Sequence, residues 1–138
     1  MLLKKLTRTS MWYMIIGLFF GVYAREFKRF NDFTGDTQIN VLHTHALILG
    51  MFFFLIVLLL ESQFQLSDHK FYKRFNMFYQ SGLGLSLLIM LIHGSMIVLG
   101  NESSAMMSGF AGIGHILLTI GLAFFFKILF DQVALATK

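Results

Sequence analysis

Four long apolar runs dominate this chain and limit what it can fold into. Each is close to the ~20 residues that a membrane-spanning helix needs. They cover roughly residues 6–24, 41–61, 77–99 and 106–130. Each run is continuously apolar, whereas barrel strands would alternate apolar and polar side chains. With 57% hydrophobic residues among 138, a soluble domain could not bury this surface. The sequence predicts an all-α, integral membrane four-helix up-down bundle, forming one domain over residues 1–138 and in contact with the lipid bilayer.

The chain contains no cysteine and no proline, and the missing thiols exclude several kinds of site. Disulfides, thiolate-held iron–sulfur clusters and the attachment motif of c-type haem all require cysteine. Any haem must therefore be held non-covalently, through histidine or methionine. A net charge of +4 would suggest nucleic acid as the partner of a soluble protein. Here the Lys and Arg residues flank the apolar runs, as membrane anchors do, so we expect no nucleic-acid partner.

The distribution of Lys and Arg predicts the orientation. Eight of the 11 lie before the first run, in the second connection and at the C-terminal end, whereas the first and third connections hold three and none. The positive-inside rule then places the N- and C-termini in the cytoplasm. A cleaved signal peptide ending at Ala24 is the rival interpretation of the first run. The basic residues that follow, Arg25, Lys28 and Arg29, are unusual at a translocated mature start, so we expect a retained helix.

Three histidines, His43, His93 and His115, lie in separate apolar runs. A charged group at the bilayer centre costs roughly 2.5 kcal/mol or more, so each should face inward and have a partner. At ~1.5 Å per residue, all three fall in the outer half of the bilayer. Small residues mark the faces where membrane helices pack closely. Helical spacing places each histidine on such a face, His115 sharing its stripe with Ser108, Gly112 and Thr119.

A single buried histidine is most often a hydrogen-bonded packing residue, but three at matched depth favour joint ligation. Zinc sites favour four ligands, and copper-transport proteins are expected to carry Met or Cys clusters. No carboxylate lies in the histidine layer to compensate a bare divalent ion. Haem spreads its charge over a porphyrin dianion and gains from apolar walls. Haem b is therefore the predicted cofactor.

The two helices that carry His43 and His115 are diagonal partners in an up-down bundle, so these residues form the predicted axial pair. His93 is a neighbour or alternative ligand, and His45 points to the other side unless a kink at the helix start exchanges it with His43. We expect the cations Arg25, Lys28 and Arg29 to meet the haem propionates. Three glycines beside histidines leave room for a flat ring: Gly94, Gly112 and Gly114.

A family resemblance adds to this interpretation. The stretch NVLHTHALILG, residues 40–50, resembles the start of the second helix of haem–copper oxidase and nitric oxide reductase catalytic subunits. The resemblance implies that His43 ligates a low-spin haem. The whole chain also resembles short bacterial four-helix proteins with a G-x-G-H motif, matched here by Gly112 to His115. This second resemblance implies a multi-pass protein of the bacterial inner membrane. The oxidases have twelve or more helices and paired copper-binding histidines, so a complete oxygen-reducing enzyme is not expected.

The predicted function is that of a homo-oligomeric membrane haem protein. It would transfer electrons to or from a donor or acceptor protein if both iron faces carry histidine. It would bind a diatomic gas such as O₂ or NO if one face is open. Two alternatives remain open at this point: a zinc or copper binding or transport protein that uses the same histidines, and a non-catalytic structural membrane subunit.

Overall fold

The protein is a bundle of four long helices. The computed structural model describes residues 2–102 and 105–137, which contain no strand. The helices are α1 (Leu2–Phe30), α2 (Ile39–Phe64), α3 (Tyr72–Val98) and α4 (Ala105–Ala136). A short 3₁₀ turn, Leu66–Asp68, lies between α2 and α3. The all-α, four-helix prediction is confirmed. Each helix begins one to five residues before its predicted start, and α1, α2 and α4 end three to six residues after their predicted ends.

Helix α1 differs from the other three in the length of its apolar stretch. Among the described residues, α2, α3 and α4 are long and apolar enough to cross a membrane, and α1 is not. The uncharged part of α1 runs only from Thr9 to Ala24, short of the ~20 residues that spanning requires. The prediction of four membrane-spanning helices is therefore wrong for the first one. The other three indicate a multi-pass membrane protein.

Helix α1 packs antiparallel along α2. Ser10 of α1 donates a hydrogen bond from Oγ to the carbonyl of Met51 at 2.9 Å. Eleven residues later along α1, Gly21 lies beside His43. Residue numbers therefore rise in opposite directions in the two helices. The same register places the cationic first turns of α1 beside the apolar half of α2 that follows Met51.

Helix α3 packs antiparallel to α2 and also meets α1, where the hydroxyls of Tyr23 and Ser95 form a hydrogen bond of 2.8 Å. Helix α4 packs along α3. A Cβ added to Gly94 of α3 would lie 2.8 Å from the backbone nitrogen of Ile39, near the start of α2. At the other end, the ring centroid of Tyr79 lies 4.2 Å from that of Phe53. Phe53 also meets α4, since its ring centroid lies 5.2 Å from that of Phe125. An aromatic core thus joins α2, α3 and α4.

The middle of α2, Ala46–Phe52, is a π-helix. A change between α-helical and π-helical bonding alters which carbonyl each N–H reaches and leaves carbonyls that need other donors. Helices α1 and α3 each supply one such donor. Ser10 donates to the carbonyl of Met51 at 2.9 Å, and the Tyr79 hydroxyl donates to that of Leu49 at 2.8 Å. Because an unpaired carbonyl is costly in an apolar interior, these two bonds stabilise the π segment.

Glycines bring α3 and α4 into backbone contact. A Cβ added to Gly82 of α3 would lie 2.6 Å from the backbone nitrogen of Leu118 and 2.9 Å from the carbonyl oxygen of Gly114. A Cβ added to Gly121 of α4 would lie 2.8 Å from the Cα of Tyr79. Real Cβ atoms do not approach so closely, so any larger residue would force the helices apart. Small residues allow this close packing where lipid supplies no hydrophobic drive.

Substitution of Gly82 by Ala should destabilise the α3–α4 pair. We expect the free energy of unfolding to fall by about 1–3 kcal/mol, since the backbones must separate. Gly84→Ala is the matched control, because a Cβ there meets nothing within 4 Å. It should stabilise by about 0.5–1 kcal/mol through helix propensity alone. Unfolding in detergent measures both, and equal effects would contradict the close approach at Gly82.

The Tyr79→Phe substitution should test the support of the π segment. Loss of the hydroxyl leaves the Leu49 carbonyl without its side-chain donor, which we expect to lower the free energy of unfolding by about 1–3 kcal/mol. Tyr13→Phe removes the same group from a ring that stacks on Phe54 and whose hydroxyl has no hydrogen bond among the described residues. It should leave stability unchanged within about 0.5 kcal/mol. Denaturant titration of both variants provides the comparison.

Candidate functional site

A cavity of about 340 Å³ opens between α1 and α2. Its lining combines two small residues of α1, two cations of α1 and two polar residues of α2: Gly21, Ala24, Arg25, Lys28, Asn40 and His43. The volume is near the lower end of the roughly 300–1,000 Å³ of small-molecule sites. The cavity is open at the surface, so a larger ligand could occupy it with one edge.

His43 faces α1, where it lies beside Gly21. A Cβ added to Gly21 would lie 3.8 Å from the Cβ of His43, ordinary contact distance. The His43 Nδ1 atom is buried and has no hydrogen-bond partner in the described part of the chain. Its Nε2 lies 3.3 Å from the hydroxyl of the adjacent Thr44. The ring therefore makes one long hydrogen bond where it could make two, which is uncommon for a buried group.

The cations of the cavity are held by different partners. Lys28 donates from Nζ to the carbonyl of Gly35 at 2.8 Å and to Oδ1 of Asn40 at 3.0 Å. Arg25 Nε lies 3.5 Å from a carboxylate oxygen of Glu26, and its side chain is 79% exposed. An exposed ion pair of this kind contributes only about 0–1 kcal/mol. Arg25 can therefore turn toward a ligand carboxylate at little energetic cost.

Arg29 lies on the same helix but does not line the cavity. Its guanidinium is 3.9 Å from the second carboxylate oxygen of Glu26, and its side chain is 75% exposed. Of the three predicted cations, Arg25 and Lys28 are therefore the ones that the structure brings to His43. Asn40, which shares the small-residue face of α2 with His43, was not among the predicted site residues. The signal that could have found it is its position three residues before His43.

The other two histidines of the first three helices lie away from this cavity. His93 is only 4% exposed and lies two turns beyond Ser86, on the face of α3 that meets Gly114 of α4. His45 points away from α1: its Nδ1 is 2.9 Å from the carbonyl of Val41. His45 borders a separate shallow cavity with Thr44, Ile48 and Leu49.

Helix α4 turns a different face inward than predicted. Its buried residues are Met107, Gly114, Leu118, Gly121, Phe125 and Ile128. The predicted stripe, by contrast, is exposed: Ser108, Gly112, His115 and Thr119. The prediction of an inward stripe on this helix is therefore wrong by about one residue, or ~100° of rotation. Gly114 and Gly121 cause the difference, since they form the closest contacts with α3 and fix how α4 is rotated.

His115 is consequently at the surface of the described bundle. Its Nδ1 lies 2.8 Å from the carbonyl of Ala111, one turn earlier in the same helix. The preceding residue, Gly114, packs on Ser86. Gly114 therefore allows close contact between the helices and does not leave room for a flat ligand. A Cβ added to Gly112 would meet nothing within 4 Å. No residue of α4 lines the cavity that contains His43.

The predicted single layer of histidines is spread along the bundle. His93 is adjacent to Gly94, which meets Ile39 near the start of α2. His115 is adjacent to Gly114, which meets Ser86, seven residues before His93. At ~1.5 Å per residue the two differ in depth by roughly 10 Å. Within residues 2–102 and 105–137, no group of three or more His, Cys, Asp or Glu is placed to hold a metal ion.

Comparison with known proteins gives a family and nothing finer. No curated protein and no solved structure matches the chain. One family profile matches residues 3–132, described as a protein of unknown function, DUF2871. This match shows no link to haem–copper oxidases. Because the profile covers nearly the whole length, the chain belongs to the DUF2871 family.

Proposed function

We propose that this membrane protein binds haem b at the α1–α2 cavity, with His43 as the iron ligand. The observation that carries the proposal is the position of His43 in one cavity wall with Arg25 and Lys28 beside it. Imidazole is a common haem ligand, and the propionates of haem require cationic or hydrogen-bonding partners. This donor set fits an iron porphyrin better than a bare divalent cation, which the two positive side chains would repel.

The environment of His43 supports the proposal in two further ways. The incompletely hydrogen-bonded ring can accept a ligand without loss of a strong existing bond, since its one contact is the 3.3 Å approach to Thr44. The π-helix begins at Ala46, three residues later, and π segments in proteins are frequent at functional sites. Ser10 and Tyr79 hold this segment from both sides, so the helix turn that presents His43 is supported by its neighbours.

Haem at this site would supply reversible binding of a small gas molecule or one-electron transfer. His115 is outside the cavity, so one chain offers His43 without the second predicted axial histidine. We therefore favour gas binding at an open position over bis-histidine electron transfer. Arg25 and Lys28 would orient the ligand through its carboxylates, while Gly21 and Ala24 leave room for its edge.

The wider setting is also proposed rather than established. The distribution of Lys and Arg favours cytoplasmic termini, and the resemblance noted above favours the inner membrane of a bacterium. An exposed stripe of Ser108, His115 and Thr119 on the spanning helix α4 favours a homo-oligomer. Polar and ionisable groups on membrane helices usually face protein rather than lipid. An electron donor or acceptor would be required only for the electron-transfer variant of the function.

Absorption spectra of the purified protein test the proposal. Protein from haem-sufficient cells should show a Soret band, and His43→Ala should reduce bound haem per chain at least about tenfold, equivalent to ~1.4 kcal/mol. His45→Ala is the matched control, because the same side chain is removed two residues away on the opposite side of α2. It should retain the haem.

Carbon monoxide added to the reduced protein distinguishes the two variants of the function. A shifted Soret band indicates an open iron position and supports gas binding, whereas an unchanged band indicates two protein ligands. Wild-type protein that neither contains haem nor takes it up when haem is added would overturn the proposal. Loss of haem in His45→Ala but not in His43→Ala would assign the ligand to the other cavity.

A further inference from the structure

A second and larger cavity, about 450 Å³ in volume, lies between α1 and α3, and no residue of α4 lines it. Its α1 wall consists of Thr9, Trp12, Tyr13, Ile16 and Phe20, and its α3 wall of Gln80, Gly84, Leu87, Leu88 and Leu91. We call it the α1–α3 groove. Both helices run antiparallel to α2, so they run parallel to each other. Residue numbers therefore increase in the same direction along the two walls.

The groove has one polar end and one apolar end. Ser10 and Tyr79 both donate to the π segment of α2. Thr9 precedes Ser10 and Gln80 follows Tyr79, so these two polar lining residues lie within about one turn of the same level. From that level the lining is mainly apolar, with Trp12 and Tyr13 as its polar-tipped members, and it ends at Phe20 and Leu91. About one turn further on, the hydrogen bond between Tyr23 and Ser95 joins α1 to α3. Eleven residues at ~1.5 Å each give a length of roughly 16 Å. This is about half of the ~30 Å hydrocarbon core of a bilayer, or one leaflet.

Two lysines continue the groove beyond its polar end. Lys5 precedes Thr9 by four residues, and Lys73 precedes Gln80 by seven. Both spacings keep a side chain on the same helix face. Both lysines are exposed, and neither has an acidic partner within 4.0 Å in the described part of the chain. A cationic pair thus lies next to the polar end of an apolar groove.

We propose that the α1–α3 groove binds one anionic phospholipid. The phosphate lies between Lys5 and Lys73, and one acyl chain follows the groove toward Phe20 and Leu91. Basic residues beside pockets between membrane helices attract anionic head groups. Trp12, 54% exposed in the α1 wall, is a residue type common at the level of lipid head groups.

The dimensions favour a lipid chain over a helix from a second copy. A helix with its side chains is about 10 Å across, so a 16 Å length occupies roughly 1,200 Å³. The groove, about 450 Å³ in volume, would therefore admit only the side chains of one helix face. A second copy that docked here through its own α1 would also bring further cations toward Lys5 and Lys73. An acyl chain is thinner than a helix, and the phosphate carries the complementary charge.

Lipid binding is measured on the full-length protein in detergent. Phosphatidylglycerol or phosphatidylcholine is added at equal ratios, and both the thermal unfolding midpoint and the co-purified lipid per chain are determined. We expect the wild-type chain to retain about one phosphatidylglycerol and to be stabilised by it more than by phosphatidylcholine. The double variant Lys5→Gln/Lys73→Gln should weaken phosphatidylglycerol binding roughly tenfold or more. The control Lys4→Gln/Lys70→Gln makes the same charge change outside the groove face and should bind normally.

A second pair of variants tests the groove without changing charge. Gly84→Leu should fill it and abolish the preference for phosphatidylglycerol. Gly109→Leu makes the same change on α4, outside the groove, and should have no effect on lipid binding. The two sites are matched, since a Cβ at either glycine meets nothing within 4 Å. Equal binding of both lipids, or full phosphatidylglycerol binding by Gly84→Leu, overturns the proposal. So does a lower oligomeric mass of Gly84→Leu with lipid binding unchanged, since that outcome assigns the groove to a second copy. None of these measurements depends on haem.

Discussion

Two hydrogen bonds to the backbone of α2 hold the arrangement on which the rest of the structure depends. The hydroxyls of Ser10 and Tyr79 reach carbonyls of the π segment from its two neighbours, α1 and α3. In an apolar interior those carbonyls have no water to bond, so their donors must come from the protein. The two bonds fix the depth of α1 and of α3 against one helix. The cavity at His43 and the α1–α3 groove both follow from that register.

The number of helices could be predicted from the sequence, and for α2, α3 and α4 continuous apolarity over ~20 residues also indicated a membrane span. The polar turns that extend the helices, and the short apolar stretch of α1, departed from the prediction. The rotation of α4 could not be predicted. Helical periodicity offers more than one candidate for the inward face of α4, because small residues such as Gly112 and Gly114 lie on different sides of the helix. Only Gly82 and Tyr79 on α3, the partner surface, decide that Gly114 and Gly121 face inward. A single-sequence argument has no access to that choice.

The candidate site, too, could be predicted only in part from the sequence. His43 and its neighbouring cations Arg25 and Lys28 could be predicted, because the short α1–α2 connection returns the chain to the same end of the bundle. The pairing of His43 with His115 could not be judged, since it depended on α4 facing a shared centre. The π segment was also beyond prediction. Its sequence, Ala46–Phe52, is ordinary apolar helix, and its geometry depends on donors that lie far away in the chain.

The register of α1 against α2 has a consequence for the basic residues at the start of α1. Lys4, Lys5 and Arg8 precede Ser10 and therefore lie level with the apolar residues of α2 that follow Met51. Long basic side chains cover apolar surface with their stems while their charged ends reach water. The first turns of α1 can therefore pack along the apolar half of α2 without taking charge out of water, since Lys4, Lys5 and Arg8 are all exposed.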